Sequence, residues 1–317
     1  MTAFYFSSNV LFDAADHFVG SRVVPALTAG ASSAGTLDIV IPATAGTGTY
    51  YIIARADSGN AVAESTEANN TKFSGAVSVG PDLVTTASVM PAAAAAGGPL
   101  TITDATRNQG SVTAGSTTTA FYLSVNPLLD ASDVLLGTRT VGSLQQNATS
   151  TSSTTVQIPA GQATGLYYLF TKADVHNTVL ESSEINNVAT AVTLRVGPDL
   201  AVSSMRAPFT AAAGATIAIS DTTINNGGGA APASLTRFYL SANLSVEAGD
   251  TLIGARSVPA LNAGGTSAGT SSIQIPANMP AGSYWLIGVA DGGQVIGETS
   301  ETNNTRVLLL RVTIPPG

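Results

Sequence analysis

The sequence of 317 residues contains no cysteine and few charged side chains. Without cysteine, the chain can form neither disulfides nor thiolate metal sites. Charged residues make up 10% of the sequence, against roughly 25% in ordinary globular proteins. This neutral and polar composition favours a secreted protein over a cytosolic enzyme.

Positive charge is especially scarce, with 12 Lys and Arg against 20 Asp and Glu, and the net charge is -8. Nucleic acids and anionic membranes both require clustered Lys and Arg, so neither is an expected partner. No apolar run reaches the roughly 18 residues of a membrane span, and residues 1–20 lack the features of a signal peptide. An exported form therefore requires a signal that was removed or lies outside this sequence.

The sequence is a tandem repeat of one domain, with a constant period of 117 residues and no insertions or deletions between copies. The motif Phe121-Tyr122-Leu123-Ser124 returns as Phe238-Tyr239-Leu240-Ser241 and has a counterpart in Phe4-Tyr5-Phe6-Ser7. A unit of this size can bury its own core. The register predicts an incomplete repeat without its first two strands over residues 1–79, and complete repeats over residues 81–197 and 198–317.

Short β-branched and aromatic runs alternate with Gly, Pro, Asn and Asp, and no helix is expected. Seven strands at this spacing are typical of an immunoglobulin-like β-sandwich, so the fold class is all-β. In the middle copy the predicted strands cover residues 83–89, 100–106, 117–124, 134–141, 150–158, 165–172 and 188–196. The linkers at Pro81 and Pro198 are short and stiff, so the tandem sandwiches are expected to form a rod.

Two further features concern the inside of the sandwich. The alanine run 92–96 lies between Pro91 and Gly97 and is too short to nucleate a helix, so we predict a turn. The sixth strand carries a large aromatic residue at one place in every copy, at Tyr51, Tyr168 and Trp285. These side chains are predicted to fill the core between the two sheets.

An ordered set of motifs marks each copy. Complete copies open on Pro-Asp-Leu and continue through an Asn-x-Gly turn, Phe-Tyr-Leu-Ser, Ile-Pro-Ala and Gly-x-Tyr. All three copies close on Glu-x-x-Glu-x-Asn-Asn, with these residues: Glu64, Glu67, Asn69, Asn70; Glu181, Glu184, Asn186, Asn187; Glu298, Glu301, Asn303, Asn304. The first copy lacks the opening Pro-Asp-Leu and the Asn-x-Gly turn.

This order of motifs resembles the cell-adhesion-related domain found in bacteria, CARDB, over nearly the whole chain. The resemblance implies an immunoglobulin-like fold in long, repetitive, surface or secreted prokaryotic proteins. It also implies a role in cell adhesion.

A loop rich in side-chain oxygens follows the Phe-Tyr-Leu-Ser strand in each copy. Calcium prefers such oxygens, so these loops are candidate calcium sites, although their spacing is not that of an EF-hand. The competing interpretation is that the same side chains bond to their own backbone in a turn. The candidate ligands are Asn9, Asp13, Asp16; Asn126, Asp130, Asp133; Asn243, Glu247, Asp250.

A second acidic group contains Asp57, Asp174 and Asp291 together with the closing motif. The simpler interpretation is that these side chains satisfy backbone groups of the loops. The alternative hypothesis is that each junction collects carboxylates from two repeats, with Asp13 and Asp16 facing Asp174 and Glu181 across the boundary. Calcium bound there would stiffen the rod.

Signals for an enzyme are weak. Gly265-Thr266-Ser267-Ala268-Gly269 matches the nucleophile pattern Gly-x-Ser-x-Gly, but it is predicted to lie in a loop between strands, without the required helix. His17 and His176, the two histidines, do not recur in the other copies. No catalytic residue and no bound cofactor other than calcium is therefore predicted.

The sequence favours an extracellular or cell-surface structural protein: a stalk, an adhesive segment or a filament subunit. Its expected partners are other copies of itself or other surface proteins. The alternative is an accessory module that binds calcium or a glycan, although aromatics, at 6% of residues, give a stacking platform little support. The incomplete first copy has two explanations, a fragment boundary or completion by a neighbouring subunit. Residues 315–317 stand where a next copy's first strand would begin, so they offer no strand for donation.

Overall fold

A computed structural model of the chain describes residues 1–86 and 89–314. Part of the predicted strand 83–89 and the segment 315–317 lie outside the described residues. The described residues contain strands and no helix, which confirms the all-β prediction of tandem β-sandwiches. None of them forms a helix that could cross a lipid bilayer.

The first repeat contains one sheet. Its strands pair antiparallel in the order β2-β1-β3-β4, and β5 pairs with another part of β3. Residues 23–47 form no strand. The strands are β1 (Thr2–Ser7), β2 (His17–Arg22), β3 (Gly48–Arg55), β4 (Thr71–Phe73) and β5 (Val77–Val79).

The second repeat is a sandwich of a five-stranded and a three-stranded sheet. The larger sheet has the order β10-β9-β12-β13-β7 and the smaller one has the order β11-β8-β6. Its strands are β6 (Leu83–Thr86), β7 (Ala93–Ala94), β8 (Pro99–Asn108), β9 (Thr117–Ser124), β10 (Val134–Val141), β11 (Thr149–Gln157), β12 (Gly165–Lys172) and β13 (Val192–Val196).

The third repeat has the same two-sheet arrangement. The smaller sheet has the order β14-β16-β19 and the larger one has the order β15-β21-β20-β17-β18. Its strands are β14 (Leu200–Arg206), β15 (Thr210–Ala212), β16 (Thr216–Asn225), β17 (Ser234–Ser241), β18 (Thr251–Val258), β19 (Thr266–Gln274), β20 (Gly282–Val289) and β21 (Thr305–Thr313).

The alanine run departs from its prediction as a turn. Ala93 and Ala94 form β7, which pairs parallel with β13 through Arg195 and Val196. The chain thus enters the smaller sheet as β6 and passes to the larger sheet as β7. Because the partner strand lies about a hundred residues away, local sequence signals could not reveal this pairing.

The aromatic prediction is wrong by one residue. Tyr167 is buried in the core of the second repeat, whereas Tyr168 points to the other face of β12 and is half-buried. Successive side chains of a strand alternate between faces, so a shift of one residue exchanges core and surface. The third repeat repeats this arrangement, with Tyr284 packed against the core and Trp285 on the outer face.

Each complete sandwich buries an apolar core between its sheets. In the second repeat the core has two parts, and the part nearest the start of the repeat surrounds Leu83. Leu83 is fully buried there against Val141, Leu144 and Val179. Leu200 occupies the corresponding place in the third repeat and is also fully buried.

Candidate functional site

The closing motif of the second repeat binds the opening segment of the same repeat. One carboxylate oxygen of Glu181 accepts a hydrogen bond from the Leu83 N–H, and the other accepts from Asn187 Nδ2 at 3.0 Å. Asn186 Nδ2 donates to Asp82 Oδ1 at 2.8 Å. We call this set of Asp82, Glu181, Asn186 and Asn187 the clamp. It fastens the start of the repeat to its end.

The Asn-x-Gly turn supports the clamp from a third position in the chain. The Asn108 side chain is fully buried, and its Oδ1 accepts from the N–H groups of Asp82 (3.1 Å) and Gly110 (3.0 Å). Its Nδ2 donates to the carbonyl oxygens of Val112 (2.7 Å) and Leu144 (3.0 Å). One asparagine therefore satisfies four backbone groups, which explains its place in the motif.

The third repeat builds the same clamp. Glu298 accepts from the Leu200 N–H and from Asn304 Nδ2, the latter at 3.0 Å. Asn303 Nδ2 donates to Asp199 Oδ1 at 2.9 Å. The corresponding residues in the two complete repeats thus make the same bonds.

Asp174 shapes the turn that leads into the clamp. Its backbone has φ 39°, a left-handed conformation, and its carboxylate accepts from Thr117 Oγ1 at 2.6 Å and from Val179 N–H at 2.8 Å. Burial acts to raise the pKa of Asp174, but the hydrogen bonds from Thr117, Val179 and Thr178 outweigh it and lower the pKa. The carboxylate is therefore a structural acceptor in the turn, as the simpler interpretation predicted.

The clamp glutamates, buried Glu181 and half-buried Glu298, both have raised pKa values. Burial raises the pKa of Glu181 from 4.5 to about 7, against the lowering effect of the Leu83 hydrogen bond, and the charge of Glu184 adds to the rise. Burial raises the pKa of Glu298 to about 7 in the same way. At neutral pH the glutamate of each clamp is therefore near the midpoint of its titration.

This titration predicts a pH dependence of stability. Between pH 4.5 and about 7 the folded state binds more protons at Glu181 and Glu298 than the unfolded state does. The free energy of unfolding therefore falls as the pH rises through this window. Chemical denaturation at several pH values measures this dependence of the unfolding free energy on pH. The slope should flatten in the double variant Glu181→Gln, Glu298→Gln, and an equal slope in the variant would contradict the assignment.

The described part of the first repeat begins at the counterpart of β9, so it includes no opening segment beside the clamp residues. Glu64 is exposed, and Asn70 Nδ2 donates at 3.0 Å to Glu67, not to Glu64. The Glu64 N–H donates to the other Glu67 oxygen at 3.2 Å. The closing motif is thus complete in sequence, but these two bonds of the Glu67 side chain stay within the motif.

A comparison with known protein families decides the identity of the repeat. The CARDB family model matches residues 3–74, 80–191 and 197–307. The chain belongs to the CARDB family. CARDB is a non-catalytic domain family. No curated protein matches the chain.

Several solved structures are similar to one CARDB repeat of this chain. The CARDB domain of a Pyrococcus furiosus protein, in complex with di-metal ions, is 24% identical with a TM-score of 0.29, and the match covers 37% of this chain and 89% of that one. A domain of a candidate cell surface protein of Methanosarcina acetivorans is 19% identical with a TM-score of 0.28, covering 37% and 93%. A β-glucosidase from Listeria innocua is 18% identical with a TM-score of 0.28, covering 37% and 16%.

The sequence alone did not identify a buried ion pair in each complete CARDB repeat. Arg139 binds Asp104 through two parallel hydrogen bonds, of 2.9 and 2.5 Å, and the Asp104 side chain is fully buried. Arg256 binds Asp221 in the same way, at 2.7 and 2.6 Å. A signal was present, because both the arginine and the aspartate recur at the offset of 117 residues.

The candidate calcium loops follow β1, β9 and β17, and their side chains bond to the backbone of the loop. In the second repeat Asn126 Oδ1 accepts from the Leu128 N–H, and Asp133 Oδ2 accepts from the Asp130 N–H, both at 2.8 Å. The corresponding bonds occur in the other two repeats. Turn formation accounts for these residue types, and calcium binding stays a prediction.

The hypothesis of a shared junction site is not supported by the geometry. Within residues 1–86 and 89–314, no group of three or more acidic or histidine side chains could hold a metal ion. Asp174 and Glu181 accept hydrogen bonds inside their own repeat, as described above. Calcium binding at the junction therefore stays a prediction.

The Gly-x-Ser-x-Gly match lies on a strand. Ser267 belongs to β19, and its Oγ accepts from Arg256 Nη1 at 3.0 Å. The predicted loop was thus wrong in position, since strand β19 begins at Thr266. A nucleophile elbow requires a sharp turn from strand to helix, and Ser267 pairs instead with Thr223 of β16. Its role in this structure is to support the buried arginine.

Proposed function

We propose that the chain is an extracellular structural protein that acts as a surface stalk or adhesive segment, with its CARDB repeats joined in a fixed arrangement. One observation carries the proposal: the side chains that best define the repeat form a clamp at its boundary. They bind the opening segment: the glutamates accept from the Leu83 and Leu200 N–H groups, and Asn186 donates to the Asp82 carboxylate. Membership of the CARDB family supports a surface setting.

Contact between the second and third repeats supports a spacer role. Gly229 N–H donates to the linker carbonyl of Gly197 at 2.9 Å, and Gly197 N–H donates to Ala94 of the second repeat at 3.0 Å. A Cβ added to Gly228 would lie 2.2 Å from the backbone nitrogen of Ala94. The third repeat therefore packs directly against β7 of the second, and only glycine fits at this contact.

The spacer role predicts a narrow distribution of distances between the two complete repeats. Because the chain has no cysteine, Gln157→Cys and Gln274→Cys provide two unique attachment sites for spin labels. Both positions are exposed and occupy corresponding places in the two repeats. Double electron–electron resonance should give one narrow peak. A broad distribution, as from a flexible linker, would contradict the proposed function.

A single substitution at the contact should loosen it. Gly228→Ser places a side chain against Ala94, so the loop has to move away, and we expect the distance distribution to broaden. Overpacking of this kind should also destabilise the third repeat by about 1–3 kcal/mol. Gly249→Ser is the matched control, because no atom lies within 4 Å of the added Cβ there. Equal behaviour of the two variants would argue against a packed junction.

A further inference from the structure

The first repeat has an open cleft at the place where a complete repeat holds its opening segment. The cleft has a volume of about 520 Å³, and Arg22, Val24, Leu27, Val62 and Glu64 line it. Three of these side chains are apolar and two are charged. The cleft therefore offers an apolar pocket beside a hydrogen-bond acceptor, Glu64, and a cation, Arg22.

Each of these five residues has a counterpart in the second repeat at the offset of 117 residues. There, Val141, Leu144 and Val179 enclose the fully buried Leu83, and Glu181 accepts its N–H. The third repeat encloses Leu200 in the same manner. The cleft is thus the Leu83 pocket without its leucine.

The hydrogen bonds of Arg22 differ from those of its counterparts in the complete repeats. Its counterparts Arg139 and Arg256 each bind a buried aspartate of the second opening strand. Arg22 instead donates to Ser33 Oγ at 3.0 Å and to the Ser33 carbonyl at 2.8 Å, and it has no carboxylate among the described residues within ion-pair distance. A strand that supplies an aspartate would complete this site.

The backbone next to the cleft corresponds to a strand that is paired in both complete repeats. Residues 32–40 correspond to β11, which pairs with β8 along its whole length in the second repeat. In the first repeat the same stretch forms no strand. An extended segment can add to such a stretch by backbone pairing.

We propose that the cleft is a docking site for the opening segment of a CARDB repeat. This occupant is a pair of antiparallel strands that begins with Pro-Asp-Leu, carries an aspartate on its second strand and closes with an Asn-x-Gly turn. Its leucine fills the pocket, and the leucine N–H donates to Glu64. Its first aspartate accepts from Asn69, and its second binds Arg22.

A direct test uses residues 81–117 as the occupant. Position 1 corresponds to position 118, so this segment can be attached directly before Met1 without a linker. We expect the attached segment to slow amide exchange in β1 and β3, and to give the first repeat its own cooperative unfolding transition. The control replaces the leucine of the attached segment with aspartate, which should abolish both effects. Unchanged exchange with the original segment would overturn the proposal.

A second measurement tests binding between separate molecules. A synthetic peptide of residues 81–117 is titrated into the full chain, with binding followed by calorimetry. The peptide with Leu83→Ala should bind at least about tenfold more weakly, because a buried leucine is lost, and Glu64→Ala in the chain should weaken binding as well. Equal affinity of both peptides would overturn the proposal. A dimer of the chain that protects the cleft and resists the peptide would show a different occupant and would also overturn it.

Discussion

Replacing Asp221 with alanine is expected to destabilise the third repeat by about 3–5 kcal/mol. The Asp221 side chain is fully buried and forms both hydrogen bonds to Arg256, whose side chain is 10% exposed. Its removal leaves a buried guanidinium without a counter-charge. Chemical denaturation, with hydrogen exchange to assign each transition to its repeat, measures the effect.

The first repeat provides a matched control for this ion pair. Arg22 corresponds to Arg256 but has only Ser33 and Ala34 as hydrogen-bond partners among residues 1–86 and 89–314. Arg22→Ala should therefore change stability by less than about 1 kcal/mol, as for an unpaired surface charge. If Asp221→Ala cost no more than Arg22→Ala, the buried pair would not stabilise the repeat.

Leu200→Ala is expected to lower the free energy of unfolding of the third repeat by about 2–5 kcal/mol, because it creates a cavity in a packed core. Leu200 is fully buried, and its backbone N–H is held by Glu298. The control is Leu244→Ala in an exposed loop, where the side chain is 58% exposed. That variant should stay close to the wild-type stability. A small effect at Leu200 would mean that the opening segment does not anchor the core.

Much of the fold could be predicted from alternation and recurrence. The strands 117–124, 134–141 and 165–172 have their predicted bounds, since β-branched and aromatic residues alternate between Gly- and Asn-rich turns. Strand β13 is shorter than the predicted 188–196 and begins at Val192. The residues absent from the strand are 188–191, and the first of them, Val188, forms an isolated bridge to Lys172.

The two wrong predictions, of the alanine turn and of the core aromatic, share a physical cause. In both places tertiary contacts determine the structure. Ala93 and Ala94 have no local preference for strand, and β13 imposes their pairing. Tyr167 and Tyr168 are equally suitable for a core, and only the register of β12 with its neighbours selects Tyr167. Residue type alone could not distinguish the two faces.

The candidate site was predicted in part. Recurrence identified the closing motif, and its Glu and Asn side chains were expected to satisfy backbone groups. The target of Glu181, the Leu83 N–H, lies 98 positions away in sequence, so only the folded chain reveals it. The interpretation of the opening Pro-Asp-Leu changes accordingly: its aspartate and leucine are both held by the end of the repeat.

Amide hydrogen exchange at Leu83 and Leu200 tests the central claim most directly, because the clamp holds these two N–H groups. Both amides should exchange slowly in the full chain. In Glu298→Ala the protection of Leu200 should fall while that of Leu83 persists, and Glu181→Ala should give the reverse. If both amides exchange as fast as exposed ones in the unchanged chain, the closing motif does not clamp the opening segment.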